Sequence, residues 1–307
     1  MPNVEFQSNP EQQKCLSVCI IGKPNAGKST LLNYIIGEKI SIVTPKVQTT
    51  RSIITGVITI DDVQLILFDT PGIFEPKKTL ERAMVRCAWS SINSADMVVL
   101  IMDSAMKLDE PAQKILGRLK EQGRQVVFLF NKIDLNSKYF LENRKYVEEH
   151  FPASITFNIS ALTGKGVNEL LDFLKESALK SGWHYEKDDI TNLPMRFLAS
   201  EITREQLFLN LHQELPYNLT VESESWKEQP DGSVKVNQVI IVSRENYKSM
   251  ILGKRGEMIK LIGSHARLNI EKLLGYKIHL FLFVKVRKDW ENNPQHYHNM
   301  GLKFTKV

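Results

Sequence analysis

Short apolar runs alternate with amphipathic stretches over the first 180 residues of the chain. Leu16–Ile21, Met97–Met102, Val126–Phe130 and Ser154–Ile159 read as strands. Ile53–Ile60 and Val63–Phe68 read as two more, joined through Asp61 and Asp62 as a hairpin. Between the runs, Ser29–Ile36, Leu80–Ile92, Glu110–Glu121, Tyr139–Glu149 and Val167–Leu179 carry apolar residues at helical spacing. This alternation predicts a mostly parallel sheet covered on both faces, with ligands at the carboxyl ends of its strands. The periodicity stops from Ser181 to Pro194, and a different order follows. Arg196–Glu214 reads as a helix, and Asn218–Trp226 and Val234–Val242 as strands around the turn Pro230-Asp231-Gly232. Asn246–Leu252 and Glu257–Leu274 then read as helices, and Lys277–Arg287 as a last strand. The expected division is a tail over 1–14, an α/β domain over 15–180, a linker over 181–194, an α+β domain over 195–290 and a tail over 291–307.

Composition supports that division. A chain of 307 residues exceeds one typical domain, and an apolar share of 42% is enough for packed cores. No apolar run approaches the roughly 18 residues of a membrane span. The polar start, Met1–Lys14, fits neither a secretory signal nor an Arg-rich transit peptide. Cys15, Cys19 and Cys87 are odd in number and lack metal-ligand spacing, which fits a reduced cytoplasm. Charge is unevenly placed. Residues 1–189 hold 23 Lys+Arg and 23 Asp+Glu, whereas residues 190–307 hold 17 and 12, so the second part carries the whole net charge of +5. A basic domain beside a neutral one points to a polyanion bound at the C-terminal end.

Four motifs follow predicted strands, in order. Gly22-Lys23-Pro24-Asn25-Ala26-Gly27-Lys28-Ser29 matches G-x-x-x-x-G-K-S between a strand and a helix, with Thr30 next in line. Its glycines let backbone N–H groups curl around phosphates, Lys28 reaches the β- and γ-phosphates, and the Ser29 hydroxyl ligates Mg²⁺. Asp69-Thr70-Pro71-Gly72 offers a carboxylate for Mg²⁺ and a Gly72 N–H for the γ-phosphate. In Asn131-Lys132-Ile133-Asp134 the Asp134 carboxylate can accept from guanine N1–H and the 2-amino group, which adenine cannot match. Ser160-Ala161-Leu162 offers a backbone N–H to guanine O6. Together they specify GTP and GDP. Only one G-x-x-x-x-G-K-S occurs, which excludes two tandem domains of this kind.

Gly253-Lys254-Arg255-Gly256 is a G-x-x-G loop between two predicted helices. Glycines allow close phosphate approach and the two cations favour RNA. Ile251 and Ile259 flank it, as a floor for bases or as core. His296-Tyr297-His298 reads as solvated rather than metal-binding. Trp183 and Tyr185 read as packing of the linker, Lys77 and Lys78 as solvated charges.

The four motifs resemble those of the translation-factor-related GTPases. Gln48-Thr49-Thr50-Arg51 lies where such proteins carry a switch threonine. Thr50 is chosen as the Mg²⁺ ligand, and spacing does not separate it from Thr49. The position after Gly72, which orients water with a Gln in many small GTPases, is Ile73. Asn25 resembles the asparagine with which some relatives hold a potassium ion; shaping of the loop is the equal alternative. With the G-x-x-G segment, Leu215–Glu222 and Leu282–Val286, the resemblance extends to the Era-type GTPases. It implies an α/β P-loop GTPase domain followed by an α+β prokaryotic-type KH domain. It further implies GTP hydrolysis with Lys28, Asn25, Thr50 and Gly72 at the reaction, and binding near the 3′ end of small-subunit ribosomal RNA. A role in small-subunit assembly, a monomeric cytoplasmic protein, and peripheral contact with the inner membrane in some members belong to the same implication. The alternative is a membrane-associated signalling GTPase whose C-terminal domain binds a protein.

Overall fold

The continuous apolar runs of the first half become the centre of a sheet. In the computed structural model, which describes residues 12–304, the chain divides into two units. The first comprises residues up to 38, 53–75 and 85–192; the second comprises 39–52, 76–84 and the residues from 193 onward.

The first unit is built from β1 (Lys14–Ile21), α1 (Lys28–Ile36), β2 (Ile54–Ile60), β3 (Val63–Asp69), the part of α2 (Thr79–Ile92) from Val85 onward, and β4 (Met97–Asp103). There follow α3 (Glu110–Glu121), β5 (Val126–Asn131), α4 (Tyr139–His150), β6 (Thr156–Asn158), α5 (Val167–Glu176) and the short β7 (Leu179–Lys180). The strands lie in the order β2-β3-β1-β4-β5-β6, and β7 pairs with the start of β1. Only β2 against β3 and β7 against β1 are antiparallel. The Asp61 turn takes a left-handed φ of 56° to close the β2–β3 hairpin. The inner strands read as unbroken apolar runs because both faces are covered. Cys19, Ile21, Val98, Leu100, Val126, Phe128 and Phe130 face Ala88, Trp89 and Ile92 of α2, Ile115, Leu116 and Leu119 of α3, and Val147 of α4. On the other face lie α1 and α5. Asp109 starts α3 by accepting from the Ala112 N–H at 3.0 Å.

Residues 181–192, expected as a linker, run along this unit. The Val57 N–H donates to Ile190 O at 2.9 Å and Thr191 Oγ1 to Thr55 O at 2.6 Å. Gln64, fully buried in β3, satisfies its amide with Thr59 and with the backbone of His184 and Tyr185. Trp183 donates to Asp62 O. Both aromatic side chains of this stretch are half-buried, and that of Trp183 is fastened to the β2–β3 turn.

The second unit contains α6 (Met195–Asn210), β8 (Leu219–Glu228), β9 (Val234–Val242), α7 (Glu245–Leu252), α8 (Glu257–Leu274), β10 (Ile278–Val286) and α9 (Pro294–Asn299). Its sheet has the order β10-β9-β8, parallel between β9 and β10 and antiparallel between β8 and β9. Leu207, Leu219, Val221, Ile240, Val242, Ile251 and Ile262 form one core under α6, α7 and α8. Ile251 is wholly buried there and Ile259 packs against it, so the flanks of the G-x-x-G loop belong to the core.

The C-terminal stretch departs from expectation. Residues 1–11 of the expected N-terminal tail lie outside the described residues, but α9 lies within the segment read as a C-terminal tail. Trp290 and Tyr297 are 1% and 0% exposed. His296, read as solvated, is buried, with Nδ1 2.6 Å from Glu222 Oε1. Asn299 also donates to Glu222, and Tyr297 Oη donates to Glu291 O. Single aromatic residues between polar ones give no periodicity, which is why hydropathy alone missed this packing. Trp290→Ala should cost the second unit about 3–5 kcal/mol. Urea unfolding followed by near-UV signal would measure it; a loss below about 1 kcal/mol would mean that this segment adds nothing to the core.

Candidate nucleotide and RNA sites

The motifs of the first unit converge at the carboxyl ends of β1, β3, β5 and β6. Lys28 is buried and donates to Gly22 O at 3.2 Å and Lys23 O at 2.9 Å, so its ammonium sits inside the curl of its own loop. Asn25 and Gly27 take left-handed φ of 61° and 106°. A Cβ on Gly27 would fall 2.1 Å from Asn131 Nδ2, and one on Gly72 would fall 2.7 Å from Pro24 Cγ. Both positions therefore demand glycine. Ala26 is buried, and Thr30 is half-buried in the first turn of α1.

Ser29 Oγ donates to Asp69 Oδ2 at 2.6 Å, bringing a hydroxyl and a fully buried carboxylate together beside the loop. Thr70 Oγ1 donates to Ile20 O, and Pro71 and Gly72 are buried beyond it. The Ile73 N–H donates to Gly22 O at 3.0 Å while its side chain joins the core under α2 and α3. This residue points away from the loop as well as lacking a polar group.

Asn131 braces the site from behind. It is buried, its Nδ2 donates to Ala26 O at 2.7 Å, and its Oδ1 accepts from the Ala161 N–H at 2.8 Å. One amide thus ties the phosphate loop to the Ser160-Ala161-Leu162 turn. Lys132 has a left-handed φ of 65° and bonds Asp103 at 2.6 Å. Asp134 follows in a single helical turn and is exposed, as is Leu162. Ser160 is buried, and its Oγ accepts from the Thr163 N–H.

In the second unit, Gly253, Arg255 and Gly256 take φ of 71°, 54° and 80° between α7 and α8. A Cβ on Gly253 would meet Met258 Cβ at 2.7 Å. Lys254 and Arg255 are exposed and make no ion pair among the described residues. The loop presents backbone and two free cations at the start of α8.

A family model described as a 50S ribosome-binding GTPase matches residues 17–132, and one described as a KH domain matches residues 214–291. The GTPase Era of Rickettsia bellii (strain OSU 85-389) is 59% identical over 290 residues, which cover 94% of this chain and 98% of that protein. The chain belongs to the Era family of GTPases. An Era variant from Aquifex aeolicus bound to GDP and AlF4⁻ superposes with a TM-score of 0.89 at 35% identity, covering 94% of this chain and 99% of that one. An Era in complex with MgGDPNP and nucleotides 1506–1542 of 16S ribosomal RNA gives the same TM-score at 36% identity and the same coverage. The fold is thus an Era-type P-loop GTPase domain followed by a KH domain, and the enzyme is a GTPase.

Sequence reasoning missed how this Era-family chain holds residues 39–52, which include Thr49 and Thr50. The segment is packed into the second unit by buried charges on α6. Arg204, 1% exposed, donates to Thr49 O at 2.6 Å and is balanced by Glu201. Glu205, equally buried, accepts from the Val43 N–H at 2.9 Å and from Lys39 at 2.5 Å. Lys46 donates to the Phe208 and Leu211 carbonyls at the end of α6. Arg51 donates to Leu219 O at 2.6 Å and to Pro216 O at 3.3 Å. Burial, and Arg204 nearby, push the Arg51 guanidinium down to about 9. The available signal was an Arg-Glu pair between the apolar positions Ile202 and Leu207 of a helix, where a charge needs a partner. Lys78, read as solvated, also bonds Asn218 at 2.8 Å.

Burial pushes the Lys28 ammonium down to about 8, a fall that the Asp69 charge reduces. Bound phosphates favour the charged form and raise this value. With Lys28 on the phosphates, nucleotide affinity is expected to be full below about pH 8 and to fall as pH rises through it, with uptake of up to about one proton per nucleotide. Titration calorimetry of GDP in buffers of different ionisation heat should show proton uptake growing from about pH 7.5 to pH 9. Uptake that stays flat would mean that Lys28 is already fully charged in the free protein.

Proposed function

We propose that this GTPase is a GTP-gated switch that binds small-subunit ribosomal RNA near its 3′ end and assists small-subunit assembly in the cytoplasm. The observation that carries the gating is the hydrogen bond from Arg204 to Thr49 O. It fastens the segment expected to sense the γ-phosphate to the unit that holds the G-x-x-G loop. The related Era that binds nucleotides 1506–1542 of 16S ribosomal RNA supports the choice of RNA. No observation favours a signalling GTPase whose C-terminal domain binds a protein. Among the described residues no helix is long and apolar enough to cross a membrane.

The proposed roles follow from chemistry. Residues Gly22 to Thr30 wrap the phosphates, with Lys28 on the β- and γ-oxygens and the Gly72 N–H on the γ-phosphate. Asp134 accepts from guanine N1–H and the 2-amino group. The O6 donor is a backbone N–H of the Ser160–Leu162 turn, where that of Ala161 is already bonded to Asn131. The adjacent oxygens of Ser29 and Asp69 suit a hard cation. Mg²⁺, when bound with nucleotide, supplies positive charge to the phosphate oxygens. For the switch ligand the choice stays with Thr50; the Thr49 hydroxyl donates to Lys46 O at 2.8 Å and contacts Thr44. Lys254 and Arg255, between Gly253 and Gly256, meet the RNA backbone.

Crosslinking and sequencing of RNA bound to the full chain, with a GTP analogue and with GDP, tests this function. The small-subunit RNA 3′ end should be enriched with the analogue. Equal enrichment in both states would remove the gating, and no specific RNA would remove the RNA role.

Because Ile73 cannot orient water, we further propose that Asn25 helps hold a potassium ion beside the phosphates. Hydrolysis should be about tenfold faster in potassium than in sodium, roughly 1.4 kcal/mol of barrier, and Asn25→Asp should narrow that ratio. Equal steady-state rates in the two salts would leave Asn25 as a residue that only shapes the loop.

A further inference from the structure

The last strand of the KH unit has two unlike faces. Leu280, Leu282 and Val284 of β10 pack toward the helices, and α8 contacts this strand. His279, Phe281, Phe283 and Lys285 point the other way and are exposed. Phe281 is 45% and Phe283 49% exposed, an unusual investment of two large aromatic rings at alternate positions of an edge strand. The sheet register extends each into a row. Phe281 lies beside Asn237, which opposes Ser225, and His279 lies beside Lys235, which opposes Lys227. Phe283 lies beside Val239, which opposes Glu222, where α9 docks.

The two carboxylates on this face are engaged by hydrogen bonds, whereas two of its lysines are not. Glu222 is bonded to His296 and Asn299, and Glu224 to Lys285 at 2.7 Å. Lys227 and Lys235 have no carboxylate partner among the described residues, and Lys235 Nζ lies 5.1 Å from the Phe281 ring centre. The side chains of Asn237 and Ser225 make no hydrogen bond among the described residues, which leaves a donor-acceptor amide and a hydroxyl beside the rings. Exposed rings interleaved with cations and hydrogen-bonding groups on a sheet are how single-stranded nucleic acids are held by stacking. A protein-binding patch would instead be a continuous apolar area, and here the neighbours of the two rings are polar or buried.

We propose that the outer face of this sheet is a second binding surface for single-stranded RNA, with Phe281 and Phe283 stacking bases and Lys227 and Lys235 meeting phosphates. This rests on the reading of the KH unit as RNA-binding, but it uses a different face. A G-x-x-G loop clamps about four nucleotides, so a longer strand leaving the loop needs further support. The loop lies on the helix side of the sheet and the two rings on the other.

The test is photocrosslinking of the full chain to a 4-thiouridine-substituted single-stranded RNA, with the crosslinked peptides mapped. Crosslinks are expected at Gly253–Gly256 and independently at Phe281–Phe283, the second set surviving in Lys254→Glu/Arg255→Glu. Phe281→Leu/Phe283→Leu should keep the loop crosslinks and weaken the Kd for the RNA about tenfold, in the range of lost base stacking. Crosslinks confined to the loop would overturn the second surface and leave the RNA function standing. Absence at both sites would overturn both. An unchanged Kd in the Phe variant, with loss of binding to purified small subunits, would assign the face to a protein contact instead.

Discussion

A loop that holds phosphates with its main chain cannot carry side chains on its inner wall. Much of the first unit is arranged around this constraint. Gly27 approaches Asn131 so closely that a methyl group would overlap the amide, and Gly72 approaches Pro24 in the same way. Close approach then makes a tie possible. The Asn131 amide reaches Ala26 on one side and Ala161 on the other, so one side chain fixes the spacing of these two loops. Its burial makes the arrangement strict, because removing either bond would leave a buried polar atom unpaired. The parallel sheet brings the ends of β1, β3, β5 and β6 to one edge, and the amide converts that adjacency into a fixed geometry.

The second unit uses buried charge for a related purpose. Arg204 and Glu205 stand next to each other on α6, almost fully buried, and each reaches the backbone of residues 39–52. Taking such groups out of water is costly unless they are paired and hydrogen-bonded. Here the partners lie in the segment that carries Thr49 and Thr50. A state that pulls this segment away would strip Glu205 of both its bonds and leave Arg204 with Glu201 alone. That differential cost is what two-state coupling requires, since a ligand shifts an equilibrium only by its unequal interaction with the two states.

What was legible in the sequence follows from the range of the signals. Apolar periodicity is a local property, and it located β4, β5, α3 and α8 within a residue or two of their ends. Motif spacing is local as well, so Lys28, Ser29 and Asp69 were found together. Asn131 was found but its partners were not, because both lie far away in the chain. The same limit hid Arg204, Glu205, Asp103 and Asp109, whose meaning depends on Thr49, Val43, Lys132 and Lys23. The C-terminal segment failed for another reason. Trp290 and Tyr297 are buried one at a time among polar neighbours, and no repeat announces them.

Lys28 and Arg51 show how two buried cations serve opposite ends. Arg51 is met by backbone carbonyls around the start of β8, with the Phe208 ring 5.9 Å from its guanidinium. A guanidinium whose donors are already matched to fixed acceptors adds rigidity and gains little from a further anion. Lys28 has two carbonyls from its own loop and one carboxylate nearby, too little to offset its desolvation, and its ammonium is weakened accordingly. Burial thus lowers both cations, Arg51 to about 9 and Lys28 to about 8. What separates them is where their partners lie: Arg51 is held by carbonyls of residues 216–219, whereas Lys28 sits inside the curl of its own loop.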